Sequence, residues 1–150
     1  MRSKQLVRFY DEHCSRTLAK IVSCEKALSE LKAQLLEMRT QAENMQYQLS
    51  AVWSEAVGVT VLQRQIYALK RKEALILSRY EELQLLIQEK LNSIEQLIET
   101  RDSFIKLRLH YEKKKNKWDW MSECAKKMRV KKDIQRDELA AEECVTWTIQ

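Results

Sequence analysis

A chain of 150 residues with one glycine and no proline has almost no residues that let a backbone reverse cheaply. That shortage constrains the fold more than any motif does. The single glycine lies in Ala56-Val57-Gly58-Val59-Thr60-Val61, and the rest of the chain reads as helix. A straight helix of this length would span roughly 220 Å at about 1.5 Å per residue, too extended to enclose a core of its own. The hydrophobic content of 45% nevertheless shows a stripe to bury, which separates the chain from a disordered charged tail. The stripe therefore needs a partner helix, from the same chain or from another.

The first arm, about residues 4 to 57, carries an unbroken heptad. Val7, Cys14, Ile21, Leu28, Leu35, Ala42, Leu49 and Ala56 fall at position a. Tyr10, Thr17, Cys24, Leu31, Met38, Met45 and Val52 fall at d. About seven repeats in one register are a strong signal for packing between helices. Leu6, Leu18, Val22, Leu36 and Trp53 widen the stripe beyond a two-stranded seam, so contact with more than one helix is expected.

At residues 57 to 60 two local signals predict a break. Gly58 suits a left-handed helix end, and Thr60 with Gln63 has the spacing of a capping box. The heptad frame agrees, because a continued helix would place Gln63, Ile66, Lys70 and Glu73 in the core. The apolar series is instead Leu62, Ile66, Leu69, Ile76, Tyr80, Leu83 and Ile87, with Glu73 out of pattern. That series mirrors the first arm about Val59, setting Met38 opposite Tyr80, Leu35 opposite Leu83 and, more loosely, Cys14 opposite Phe104. The fold class expected is all-α, an extended antiparallel helical hairpin or coiled coil with a third basic helical segment. A stutter would also shift the frame, so a long continuous kinked coiled-coil rod is the alternative.

The second arm, about 60 to 113, continues the stripe through Leu91, Ile94, Leu97 and Ile98. The apolar run from Leu83 to Ile87 covers too wide an arc for a simple seam and suits a third docking helix. Lys70, Arg71, Lys72 and Glu73 read as a solvated face. The packing interface is thus assigned to Val7, Ile21, Leu28, Leu31, Leu35, Leu49, Val52, Leu62, Ile66, Leu69, Ile76, Leu83, Ile87 and Ile94, with Gly58 and Thr60 as the hinge.

A third segment, about 114 to 148, concentrates the positive charge. From Lys106 to Arg136 there are twelve Lys and Arg against four acids, a balance of +8, which leaves the remainder at −3. Asn116, followed by Asp119, marks a candidate second helix start. The residues offered to an anionic partner are Lys113, Lys114, Lys115, Lys117, Trp118, Trp120, Lys126, Lys127, Arg129, Lys131 and Lys132. An acidic protein or cytoskeletal surface ranks ahead of a membrane, and nucleic acid comes third because no nucleic-acid module is visible. The blander reading is that Trp118, Met121, Ala125 and Met128 continue the core while the lysines are solvated. At the end, Val145, Trp147 and Ile149 form an apolar terminus that needs a cover, from a partner or from further chain.

No catalytic machinery is legible. One glycine makes no phosphate-binding loop, and His13 and His110 lack metal or triad spacing. Cys14 and Cys24 sit at core positions, where a free cysteine packs as a small apolar side chain, and Cys124 and Cys144 read the same way. No cofactor and no metal are expected. The cysteine spacing, the absence of a signal peptide and of any membrane span predict a cytoplasmic protein, with the nucleus also open. The function expected is a non-catalytic scaffold or adaptor forming homo- or hetero-oligomeric coiled coils, in a eukaryotic cytoskeletal, centrosomal or trafficking complex. Peripheral binding to anionic membrane through the basic helix is the first alternative, and a nucleic-acid-associated coiled-coil subunit the second.

Overall fold

The computed structural model describes the chain except Met1, Val59 and Gln150, and except the side chains of Glu55 and Ile149. Two helices account for nearly all of it: α1 (Arg2–Ala51) and α2 (Gln63–Ile149), with a single 3₁₀ turn at Ser54–Ala56 between them. The described residues contain no strand. The architecture is the all-α helical hairpin, not the continuous rod.

The turn differs in detail from its sequence signals. Helix α1 ends at Ala51, seven residues before Gly58, so the glycine does not cap it. Serines take that role: the Ser50 hydroxyl donates to the Tyr47 carbonyl at 2.9 Å, and the Ser54 hydroxyl to the Ala51 carbonyl at 2.6 Å. The Ala51 carbonyl is one of those that the end of a helix leaves without a partner. Gly58 does adopt the left-handed conformation, at φ 77°, but inside the connection.

The second helix likewise starts later than Thr60. The Gln65 and Ile66 amides donate to the Leu62 carbonyl at 2.9 and 3.2 Å, which makes Leu62 the N-cap residue. The Gln65 side chain reaches back to accept from the Leu62 amide at 3.2 Å. This is half of a capping box, displaced two residues from the Thr60–Gln63 pair, and leucine has no oxygen to supply the other half. Thr60 and Val61 are β-branched and stiff at χ1, which disfavours an earlier helix start.

The late start shifts the pairing register. Gln46 Nε2 donates to the Tyr80 hydroxyl at 2.9 Å, where a mirror about Val59 would bring Met38. Lys20 Nζ lies 5.4 Å from the centre of the Phe104 ring, where the mirror would bring Cys14. The displacement is roughly two turns of helix. As a result the first turns of α2 have no opposing helix, and Leu62 and Ile66, expected in the packing interface, are exposed at 71% and 36%.

The chain divides into two compact units. In Ile21–Asp102, one face of each helix forms the core. Leu28, Leu35 and Ala42 from α1 cluster with Leu83, Ile87 and Ile94 from α2, and Leu31, Met38, Met45, Tyr80, Leu91, Leu97 and Ile98 pack around them. Leu85 and Leu86, between the buried Leu83 and Ile87, point outward.

The second unit comprises Met1–Lys20 and Ser103–Gln150. Here α2 runs through Asn116 without a break, so the basic segment is helical but continuous with the second arm. Asn116 costs under about 1 kcal/mol inside a helix, and its neighbours are lysine, tryptophan and methionine, none of which stops one.

Candidate functional site

The unit that holds the basic segment is organised around contacts between the start of α1 and the middle of α2. Tyr111 is the centre. His13 stacks on its ring at 5.1 Å, and Tyr10 lies 6.2 Å away. Phe9 meets both Tyr10 and His13 edge-on, at 5.3 and 4.3 Å. Such contacts add about 0.5–1.5 kcal/mol each beyond simple burial. His13, which from sequence is only a polar flank of the stripe, is thus part of an aromatic cluster that the hairpin assembles from residues a hundred positions apart.

One turn further along α2, Lys115 Nζ pairs with Asp11 Oδ1 at 2.8 Å. The hydrogen bond to Asp11 holds the lysine above its ordinary pKa, against a smaller opposing effect of burial. Lys115, expected from sequence to face an anionic partner, is therefore tied to Asp11 of α1. Cys14, buried beneath, donates from Sγ toward the Arg108 carbonyl at 3.9 Å. Burial, and then the charge of Glu112, push its thiol above the ordinary range. A thiol kept protonated is a poor nucleophile and packs as an apolar filler. Thr17, also buried, donates to the His13 carbonyl at 2.7 Å.

The other candidate residues fall into two groups. Lys114 and Trp118 are half-buried, as is Lys115. Lys113, Lys117, Trp120, Lys126, Lys127, Arg129, Lys131 and Lys132 are exposed. Beyond Cys124 every described side chain of α2 is exposed, including Met128, Val130, Ile134, Leu139, Val145 and Trp147. Of Trp118, Met121, Ala125 and Met128, read as a continuation of the core, only Trp118 is half-buried, and the other three are exposed. Ile149, the last residue of the expected apolar terminus, lies outside the described side chains.

Among the helix-packing residues, Ile21, Leu28, Leu35, Val52, Ile76, Leu83, Ile87 and Ile94 are buried. Val7, Leu31, Leu49 and Leu69 are half-buried. What a heptad reading misses is the polar bond at the turn, where the Trp53 indole donates to Glu73 at 2.7 Å. The signal was present, since Glu73 interrupts an apolar series and Trp53 lies off the seam. Among the described residues no helix is long and apolar enough to cross a membrane.

A sequence model of a protein family described as "SPAM: Salmonella surface presentation of antigen gene type M protein" matches residues 1–145. Comparison with curated proteins and with solved structures gave no match. The family is named from a bacterium, and this overturns the expectation of a eukaryotic cytoskeletal, centrosomal or trafficking complex, together with a cytoskeletal surface as partner. The physical reason for the error is plain. Knobs-into-holes packing uses the same side chains in every cell, so a heptad carries no information about the assembly it serves.

Proposed function

Because the chain belongs to the family described as Salmonella surface presentation of antigen gene type M protein, we propose that it is a non-enzymatic helical component of a bacterial type III secretion system. It acts on the cytoplasmic side by binding other proteins of that system. The observation that carries the reading, beside family membership, is the outward-facing apolar surface of the hairpin. Leu36, Tyr47 and Leu85 are about seven-tenths exposed, at 69%, 73% and 68%, while the seam behind them is buried. Large apolar side chains on the outer faces of a helix pair suit contacts with other protein surfaces.

The test uses the gene in its bacterial host. Deletion should stop export of secreted proteins into the medium. A chain with Cys14, Cys24, Cys124 and Cys144 changed to alanine and His13 and His110 changed to glutamine should restore export, since none of these acts as a catalyst. Leu36→Lys with Leu85→Lys should keep its helical circular dichroism and fail to restore it. Normal export after deletion overturns the reading. Full activity of the double-lysine chain, or a dead chain that lacks only the cysteines and histidines yet folds, overturns it equally.

A further inference from the structure

The end of α2 is a helix with no partner. From Ala125 to Thr148 every residue is exposed, a length of about 36 Å at 1.5 Å per residue. Helices in proteins owe most of their stability to a packed face, and this stretch has none within the chain. Its charges are unused as well. Among the described residues, no ion pair within the chain involves any charged side chain from Lys126 to Glu143.

Those charges have an order. Reflected about the point between Ile134 and Gln135, Asp133 comes level with Arg136, Asp137 with Lys132, Glu138 with Lys131, Glu142 with Lys127 and Glu143 with Lys126. Every acid from Asp133 to Glu143 comes level with a base, and Lys127, Lys131, Glu138 and Glu142 also share one side of the helix at about 100° per residue, so Glu138 meets Lys131 and Glu142 meets Lys127. We propose that this segment is a homodimerisation element: two copies of the chain pair their α2 ends antiparallel about a two-fold axis near Ile134.

A two-fold interface must be self-complementary, because the same patch serves both sides. A segment that is basic in its first half and acidic in its second meets that condition only when antiparallel. In a parallel pair Lys126 and Lys127 would lie beside their own copies, and Glu142 and Glu143 beside theirs. Apolar residues alternate with Lys127, Lys131, Glu138 and Glu142 along that side of the helix. Trp120, Cys124, Ile134 and Val145 share one side of the helix at its 3.6-residue repeat. The reflection sets Cys124 level with Val145 of the second copy and brings the two Ile134 side chains together at the axis. A foreign acidic surface or an anionic membrane would account for the lysines alone. It leaves Glu138 and Glu142, which mirror Lys131 and Lys127 on the same side of the helix, without a role, so the second copy is the occupant the charges favour. This goes beyond the secretion role and does not depend on it.

Light scattering of the purified full chain should give about twice the 17.9 kDa of one copy at micromolar concentration, with the dimer weakening as salt rises. Glu138→Lys with Glu142→Lys places lysine against lysine and should give a monomer. Lys127→Glu with Lys131→Glu places acid against acid and should do the same. Mixing the two variants should restore a dimer, now mixed, because each reversed charge again meets its opposite. Circular dichroism should show the same helix content in all samples. A monomeric parent chain overturns the proposal. So do variants that stay dimeric alone, or a mixture that does not associate. Binding of anionic vesicles by a monomeric chain, lost in the Lys→Glu variant, would assign the lysines to lipid and overturn it too.

Discussion

The indole Nε1 of Trp53, in the connection between the helices, donates a hydrogen bond to the carboxylate of Glu73 at 2.7 Å, with both residues half-buried. Glu73 stands where the apolar series of α2 calls for a hydrophobic side chain, and this bond is why a carboxylate is tolerated there. It also ties the connection to α2 above the last turn of α1.

Loss of that bond should be felt. Trp53→Phe keeps the aromatic ring but leaves a half-buried carboxylate without its donor. Hydrogen bonds to charged groups are worth about 1.5–3 kcal/mol, so a loss of about 2 kcal/mol is expected in urea unfolding. Glu73→Leu restores the apolar pattern, and in the double variant the two effects should not add. Additive effects would show that the contact contributes nothing.

The turn permits one loss and one gain. An added Cβ at Gly58 meets nothing within 4 Å, so only the positive φ opposes a side chain. Gly58→Ala should therefore cost about 1–2 kcal/mol through backbone conformation alone. Leu62→Asp supplies the missing oxygen of the N-cap and removes an exposed leucine. A gain of about 1 kcal/mol is expected, read as a higher thermal midpoint. A midpoint that falls would show that Leu62 has a packing role.

Core and outer face should separate cleanly by truncation. Leu28, at 3% exposure among the core residues, should cost about 2–5 kcal/mol when changed to alanine. Leu36→Ala, on the outer face, should change stability by under about 0.5 kcal/mol. Equal losses at the two positions would place the seam on the wrong face.

Alkaline conditions should weaken the unit around Tyr111. Cys14 and Lys115 are both held above their ordinary values of 9.0 and 10.5, the first by burial and Glu112, the second by its bond to Asp11. In each case the folded state keeps its proton longer than the unfolded state. The stability they contribute is thus fully present below the unfolded pKa values and is lost as pH rises through the folded ones. Thermal midpoints should fall from about pH 9 upward. Cys14→Ala and Lys115→Met should each flatten part of that fall. An unchanged slope in both variants would remove these residues as its source.

Much of the hairpin was legible in the residues alone. The lone Gly58 in a proline-free chain and an apolar frame that fails beyond it are local and periodic signals, and periodicity survives without knowledge of the partner helix. The heptad from Val7 to Val52 defined the inward face of α1 for the same reason. Where α1 ends was not legible, because the Ser50 and Ser54 hydroxyls compete with Gly58 for that role and sequence cannot weigh them. The register was not legible either. It depends on how many residues the connection takes up, and a late start at Leu62 moved every pairing by roughly two turns.

Sequence alone determined that the chain is helical, where its buried stripe runs and that its charge is concentrated toward the C-terminal end, since all three follow from the order of side chains along one helix. Only the tertiary structure decided which residues face each other across the hairpin and which are left over. It gathered Phe9, Tyr10, His13 and Tyr111 into one cluster, gave Glu73 its donor and left the end of α2 unpaired. Those outcomes depend on the relative length and register of two helices, and no single-helix pattern contains either quantity.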